Sequence, residues 1–433
     1  MMNPFLKTLS ILCAAASAGC CASPAAMSPE LAARIASDAR LDSVCVRAGR
    51  LAAQGLTAGS GYAEVWIRDL NTFMTLACEV SDPALLREAL LRFFAFQGPD
   101  GDIVDGYVPV ENSGGGYAYR HSELAPGFAA HKNTVETDQE SALVQALFKY
   151  VTATGDRSIL EAEVGGRSVR ERLGDALRYP VTERFDREYG LIWGATTADW
   201  GDVQPEHAWG VALDESSHRA LDIYDQAMFL VAVDDYLMLV DDPGERARWT
   251  ECADGIRENV RRWLWDEERG KYVPHIYLEG APFPADFDER AIHYHGGTTV
   301  AVEAGLHDRD EVKRLYETME RNRLAAGANS IGLTLHPVYP AGTFANPGMA
   351  PYCYQNGGDW TWFGARMVQQ LVRYGLYEEA YAALSPMLDR VLAHGGFYEW
   401  WTLDGQPRGS GEFRGSAGVL WDACRMLREA AAE

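Results

Sequence analysis

Two kinds of apolar spacing recur along the chain. In "QESALVQALFKYVTATGD", Ala142, Leu143, Ala146, Leu147, Tyr150 and Val151 return every three or four residues, so one face of a helix is apolar. "DQAMFLVAVDDYLMLV" (225–240) is apolar nearly all round, as in a helix enclosed by others. "WTECADGIRENVRRWLW" goes back to a single face through Trp249, Cys252, Ile256, Val260 and Leu264. The same spacing predicts helices near 30–53, 68–80, 83–97, 137–154, 167–183, 220–241, 243–265, 289–306, 309–322, 358–374, 376–393 and 415–431. These segments form six pairs. Short breaks with Asp, Gly or Pro ("VSDPA", "VDDPGE", "RYGLYEE") join the members of a pair, while long stretches rich in glycine and aromatic residues separate successive pairs. Consecutive hairpins of this kind predict an all-α ring with an inner and an outer layer, its long loops gathered at one rim.

The N-terminus departs from this pattern. "MMNPFLKTLSILCAAASAGCCAS" has one cation, Lys7, then an apolar run from Leu9 to Ala16, then small residues. That layout predicts an export signal over residues 1–22, followed by one folded body over 27–433. "ASAGC" resembles a bacterial lipoprotein cleavage site, so a chain free in the periplasm or medium and one lipid-anchored through Cys20 are both expected outcomes. No other stretch approaches the roughly 18 consecutive apolar residues of a membrane span.

Composition narrows the partners. Acidic residues number 62 against 39 basic ones, for a net charge of -23, and this average field repels nucleic acid and anionic membranes but not a neutral sugar. Beyond the leader, Cys45, Cys78, Cys252, Cys353 and Cys424 are far apart and form no CxxC pair. Neither a disulfide framework nor a zinc site is expected, and no cofactor or metal is called for.

Four stretches are dense in aromatic, acidic and glycine residues, each beside a predicted helix. "GYAEVWIRDLNTF" offers Trp66 as an apolar wall, with Arg68 and Asp69 as a donor fork and an acceptor for vicinal hydroxyls; an ion pair at a helix start would look the same. "LIWGATTADWGDVQPEHAWG" sets Asp199 and Asp202 on either side of Trp200 in a long aperiodic loop. An Asp after two threonines also suits a turn or a cap. "PYCYQNGGDWTWFGARM" brings Gln355, Asn356, two glycines and Trp360 to a helix start. "HGGFYEWWTLDGQPRGSGEFRGSAG" wedges Glu399 among Tyr398, Trp400 and Trp401 and places Glu412 before the last helix. Two carboxylates in separate aromatic loops suit glycoside hydrolysis, where one protonates the leaving oxygen and the other activates water. Pattern alone does not select the pair from 62 acids.

These loops resemble those of the six-hairpin, (α/α)6-barrel glycosidases, most closely the neutral/alkaline invertases and, more distantly, the trehalases and processing α-glucosidases. "YAEVWIRDLNTFMTLACEVSDPALLREALLRFFAFQ" is similar to the opening Arg-Asp motif and its helical pair, "YQNGGDWTWF" to the Asn-Gly-Gly-x-Trp loop, and "EWWTLDGQPRGSGEFRGSAGVLWDA" to the final glutamate, Asp-Gly turn and Ser-Ala-Gly helix. The resemblance implies an (α/α)6 toroid and an inverting, exo-acting hydrolase of α-glucosides or small oligosaccharides. It implies Asp199 as general acid, with Asp202 as the alternative, and Glu399 as general base. The implied substrate-binding set is Trp66, Arg68, Asp69, Trp200, Asp202, Gln355, Asn356, Trp360, Trp401 and Glu412. Inversion requires carboxyls roughly 6.5–9.5 Å apart. The stretch "ATTADWGD" departs from the invertase pattern, which leaves sucrose as one candidate among several hexosides. Two rivals stand beside this reading. One is a sugar epimerase using His293 and His295 of "AIHYHGGTTV", although alternate residues of one helix point apart. The other is an exported glycan-binding protein without catalysis.

Overall fold

The computed structural model describes residues 26–433 apart from Gly115; the expected leader and Cys20 lie outside the described residues. Thirteen α-helices are present among them: α1 (Pro29–Ser37), α2 (Ala39–Ala52), α3 (Ile67–Val80), α4 (Pro83–Ala95), α5 (Gln139–Thr154), α6 (Val169–Glu183), α7 (Ile223–Leu239), α8 (Pro243–Asn259), α9 (His295–Glu303), α10 (Arg309–Ala326), α11 (Thr361–Arg373), α12 (Tyr377–His394) and α13 (Arg414–Ala432). Local chemistry sets many of the starts. At α4 and α8 an Asp-Pro pair begins the helix, with the Asp82 and Asp242 carboxylates accepting the first free N–H groups and Pro in the first turn, where its missing N–H costs nothing. Ser168 and Asp308 form capping boxes with Glu171 and Glu311 at α6 and α10.

The helices close into an (α/α)6 toroid. α3 packs on α5, α5 on α7, α7 on α9, α9 on α11, α11 on α13, and α13 back on α3, while the other helices lie outside this ring. The burial pattern follows: α5 is buried along most of its length, whereas α10 buries only Val312, Leu315, Tyr316 and Met319. Long loops precede the inner helices, and α3, α7, α9 and α11 are left by short breaks, so the inner N-termini share one end with the loops. Small antiparallel sheets stiffen those loops, among them a four-stranded one from Val65–Trp66, Gly106–Pro109, Tyr119–His121 and Phe128–His131.

Two expected helices differ. The segment 30–53 divides at Asp38, whose carboxylate accepts the Arg40 N–H at 3.0 Å and caps a new start. The segment 289–306 is α-helical only over His295–Glu303, after a single 3-10 turn at Glu289–Ala291; His293–Tyr294 instead pairs with Leu335–His336, a non-local ladder that periodicity does not reveal. The five cysteines described are free thiols.

The ring closes where Gly418 of α13 meets α3: a Cβ there would lie 2.4 Å from the Phe73 Cα. Gly418→Ala is expected to destabilise by about 1–3 kcal/mol, the cost of overpacking. Gly255→Ala, on α8 with nothing within 4 Å of its Cβ, should instead stabilise by about 0.5–1 kcal/mol. Denaturant melts of the two variants check the contrast; equal effects would show that this contact does not constrain the closure.

Candidate active site

Glu399 owes its position to a defect in a hairpin. Strand Tyr398–Trp401 pairs with Pro407–Gly411, but the register slips between Tyr398 and Trp400, and a bulge of this kind re-aims the side chain it carries. The carboxylate is 4% exposed; Tyr62 Oη donates to Oε1 at 3.0 Å and the Ser410 N–H to Oε2 at 2.8 Å. Gly409 makes this approach feasible: its φ is +68°, and a Cβ there would sit 2.4 Å from Glu399 Oε2. Burial pushes the Glu399 carboxyl above its ordinary range, the two donors pull it back, and the charge of Asp202 adds to the rise.

The hairpin is anchored from behind. Asp359 exchanges two backbone hydrogen bonds with Trp401, and its carboxylate takes the Ser330 N–H at 2.9 Å and lies 2.9 Å from Arg390 Nη1. The Arg390 guanidinium faces the Trp401 ring at 4.8 Å. Trp401 is therefore fully buried structural support, and Trp400 is the half-buried neighbour of Tyr354.

The two mid-chain aspartates have separated roles. Asp199, with φ +59°, turns inward, and its oxygens accept the Gly296 and Gly297 N–H groups at 2.6 and 2.8 Å, at the N-terminus of α9. Burial nevertheless pushes its carboxyl well above the ordinary range, against those donors. Side chains at 296 or 297 would collide with the carboxylate, since their Cβ atoms would lie 2.7 and 2.9 Å from it. Asp202, half-buried, accepts from Gln355 Nε2 at 2.6 Å through Oδ1, and Oδ2 has no partner among the described residues. Asp202 and Asp69 both interact with the charge of Glu399.

Arg68 stands at the start of α3. Its guanidinium pairs with Glu136 and, at 2.8 Å, with Asp138, which also accepts from Tyr224 Oη at 2.8 Å. Trp200 covers it at 5.6 Å and itself packs on Trp360 and Trp362. Beneath them is a cavity of about 10 Å³, room for one water, lined in part by Glu136, Asp199, Asp222 and Asp225. Asp69 keeps one buried oxygen, Oδ1, without a partner, and burial followed by the charge of Glu399 outweighs Arg68, pushing it up to about 7. Asp105 reaches about 7 as well, again chiefly through burial, with Asp202 contributing.

The remaining expected site residues are distributed unevenly. Trp66 is half-buried, 6.3 Å from Tyr62 by ring centroids, on the side of Glu399. Gln355 reaches the site through Asp202. Asn356 does not: it is fully buried, and its amide is spent on the Tyr339 N–H, the Tyr339 carbonyl and the Met349 carbonyl. Trp360 donates to the Tyr354 carbonyl and is 2% exposed, and Glu412 is exposed at φ +51° with no hydrogen bond among the described residues. Sequence reasoning missed Tyr62, Asp105, Tyr117, His131 and Tyr354. Tyr62 and Tyr354 lie inside the aromatic stretches, which was their one signal; Asp105, Tyr117 and His131 lie between the expected helices 83–97 and 137–154 and carried none, and the convergence of all five is non-local. Among the described residues no group of three or more His, Cys, Asp or Glu could hold a metal ion.

No protein-family model and no curated protein matches the chain. Solved structures do. The GH63 mannosylglycerate hydrolase from Thermus thermophilus, in complex with glucose, superposes with a TM-score of 0.61 at 17% identity, covering 87% of this chain and 99% of that one. The same enzyme with Tris and D-glycerate scores 0.62 at 17% identity over 88% and 99%. A rhamnosidase from Klebsiella oxytoca with rhamnose bound scores 0.57 at 16% identity, over 89% of this chain and 63% of that one. At these identities the likeness establishes the toroidal fold.

Asp69 has a consequence for pH. Its folded-state value of about 7 lies above the unfolded value near 3.9, so the folded state binds more protons between them, and stability falls as pH rises from about 4 to about 7. Asp69→Asn should therefore melt several degrees above the parent at pH 8 and close to it at pH 4; an equal offset at both would refute the assignment.

Proposed function

We propose that the chain is an inverting glycoside hydrolase acting on a small, neutral glycoside, with Asp202 as general acid and Glu399 as general base. The observation that carries this reading is that two carboxyls from separate aromatic loops are linked by packing and left free to react: Tyr354, beside the Gln355 that donates to Asp202, packs against Trp400, beside Glu399, and neither acid is consumed by a salt bridge among the described residues. The likeness to toroidal proteins named as hydrolases of glycosides adds support.

The roles follow from hydrogen bonding. Glu399 accepts from Tyr62 and Ser410 on separate oxygens; these donors fix it and favour its ionised form against the burial that raises it, and an ionised, fixed carboxylate is what deprotonating water requires. Asp202 has an oxygen free to carry the proton for the leaving group. Asp199 lacks this freedom, because both its oxygens are held by the α9 N-terminus; in this reading it is a positioning residue that sets the loop from which Asp202 projects. Arg68 has Nη1 left after its carboxylate pairs, and with Asp69 it would bind hydroxyls of the sugar being released. An α-glucoside or a short oligosaccharide is the proposed substrate, and a neighbour with glucose bound is consistent with a hexose of that size. Export, with or without a lipid at Cys20, belongs to the same proposal and is checked by the mass of the mature N-terminal peptide.

The epimerase reading finds less support. His295 is fully buried, with Nδ1 on the Leu333 carbonyl and Nε2 at 2.9 Å from Asn322, and burial lowers it to about 3. His293 lies on a strand and is lowered to about 4, again mainly by burial.

Asp202→Asn and Glu399→Gln should each reduce turnover at least about a hundredfold with the fold retained. Asp199→Asn should instead cost about 1–3 kcal/mol of stability, by leaving one N–H without its acceptor, and reduce turnover less. Aryl glycosides and disaccharides of several hexoses, followed by NMR of the first anomer released, test the reaction. Retention of configuration, or a larger kinetic loss in Asp199→Asn than in Asp202→Asn, would overturn the assignment.

A further inference from the structure

Trp209 is an anomaly on the surface. It is 59% exposed, the one tryptophan among the large exposed apolar side chains of the described residues, and it lies in the loop that leads away from Asp202. Exposing that much apolar ring to water is unfavourable unless something covers it. The ring is nevertheless placed: it leans on Tyr117 with centroids 5.4 Å apart at 41°, and Gly116, with φ +88°, keeps the space beneath it open, since a Cβ there would lie 3.3 Å from the indole.

What lies beneath leads to the acid pair. Tyr117 stacks flat on His131, 4.2 Å apart and 4° from parallel; His131 meets Trp66 at 4.8 Å; Trp66 meets Tyr62; and Tyr62 donates to Glu399. A continuous aromatic column thus runs from the base to solvent. Its polar members are neutral at physiological pH: burial lowers His131 to about 4, and burial, then the charges of Asp202 and Asp105, raise Tyr117 to about 12.

We propose that Trp209 and Tyr117 form a stacking platform for the leaving group, and that this group is an uncharged sugar ring; the proposal rests on the hydrolase reading above. A pyranose presents a C–H face that stacks on an aromatic ring, and Trp209 belongs to the same loop as Asp202, seven residues further on, while Tyr117 connects through the aromatic column to Glu399. Charge selects against an acidic leaving group. Around Tyr117 the charged neighbours are Asp202, Asp105 and Glu64, and the cations that act on Asp105 are Arg68, paired with Glu136 and Asp138, and Lys132, paired with Glu140 at 2.7 Å. A carboxylate such as glycerate would meet these acids, and the charges of both these cations are already paired with carboxylates.

The test compares leaving groups. For the sugar that the panel above releases, kinetics are measured on its glycosyl fluoride, whose leaving group is a single atom, on its disaccharides, and on its glycerate glycoside. Trp209→Ala should raise KM for the disaccharide about tenfold or more, the worth of one aromatic contact, and leave kcat/KM for the fluoride within about twofold. Trp209→Phe should recover most of the loss, and the glycerate glycoside should be the poorest substrate of the parent. Binding is read separately, by tryptophan fluorescence of the full chain with maltose, trehalose and sucrose against glucose: quenching by a disaccharide beyond that by glucose should vanish in Trp209→Ala. Equal losses on fluoride and disaccharide, no loss on either, or efficient cleavage of the glycerate glycoside would overturn the platform while leaving the hydrolase intact. Disaccharide quenching that depends on Trp209, without hydrolysis of any substrate, would uphold the platform and overturn the hydrolase. No disaccharide binding at all would overturn both.

Discussion

The buried guanidinium of Arg68 is the constraint on which the site depends. It begins α3, pairs with Glu136 and Asp138 ahead of α5, and through Asp138 meets the Tyr224 hydroxyl on α7. Three consecutive inner helices are thus tied at the end where the loops gather. Such a cluster adds little net stability compared with apolar packing, but removing one partner leaves charges buried alone, at a cost of about 3–5 kcal/mol. Its geometry is therefore enforced, and with it the positions of Asp69 on the same helix and of Trp200, whose ring covers the guanidinium.

The toroid also determines the electrostatics. Inner helices all start at one end, so their N-terminal partial charges converge there, and carboxylates gather to meet them. Asp199 sits on α9, Asp222 caps α7, and Asp69 lies in the first turn of α3. Burial, with a smaller contribution from neighbouring acids, raises Asp69 and Asp105 to about 7, and Arg68 offsets only part of that rise. A site of this sign suits a neutral substrate and a cationic transition state.

Side chains committed to backbone groups and buried partners hold the ones proposed to react. Asn356 locks the turn that presents Gln355 to Asp202, Asp359 and Arg390 lock the hairpin that presents Glu399, and Asp199 locks the loop that presents Asp202. In two of these cases the locking residue and the presented one are close in sequence: Asn356 beside Gln355, Asp199 three before Asp202. Proximity in sequence is why pattern reasoning mixes them, since the same polar, glycine-rich loop serves both purposes.

Much of the fold was legible along the chain. Helical periodicity and Asp-Pro or capping-box starts are local, so the helical pairs, their order and the loop-bearing rim follow from spacing alone, and the four aromatic loops were identifiable as the place where chemistry would lie. The failures were of two kinds. The division at Asp38 is local, one side chain accepting the N–H two residues on, whereas the loss of α-helix before His295 depends on a strand partner some forty residues away. Within the loops, Asp199 and Asp202 are indistinguishable as letters; they separate only because two glycines of a distant helix start, Gly296 and Gly297, face one and the amide of Gln355 faces the other. Periodicity encodes which face of a helix is dry. Whether a carboxylate is a cap or a reagent is decided by what the closed ring brings within hydrogen-bond reach.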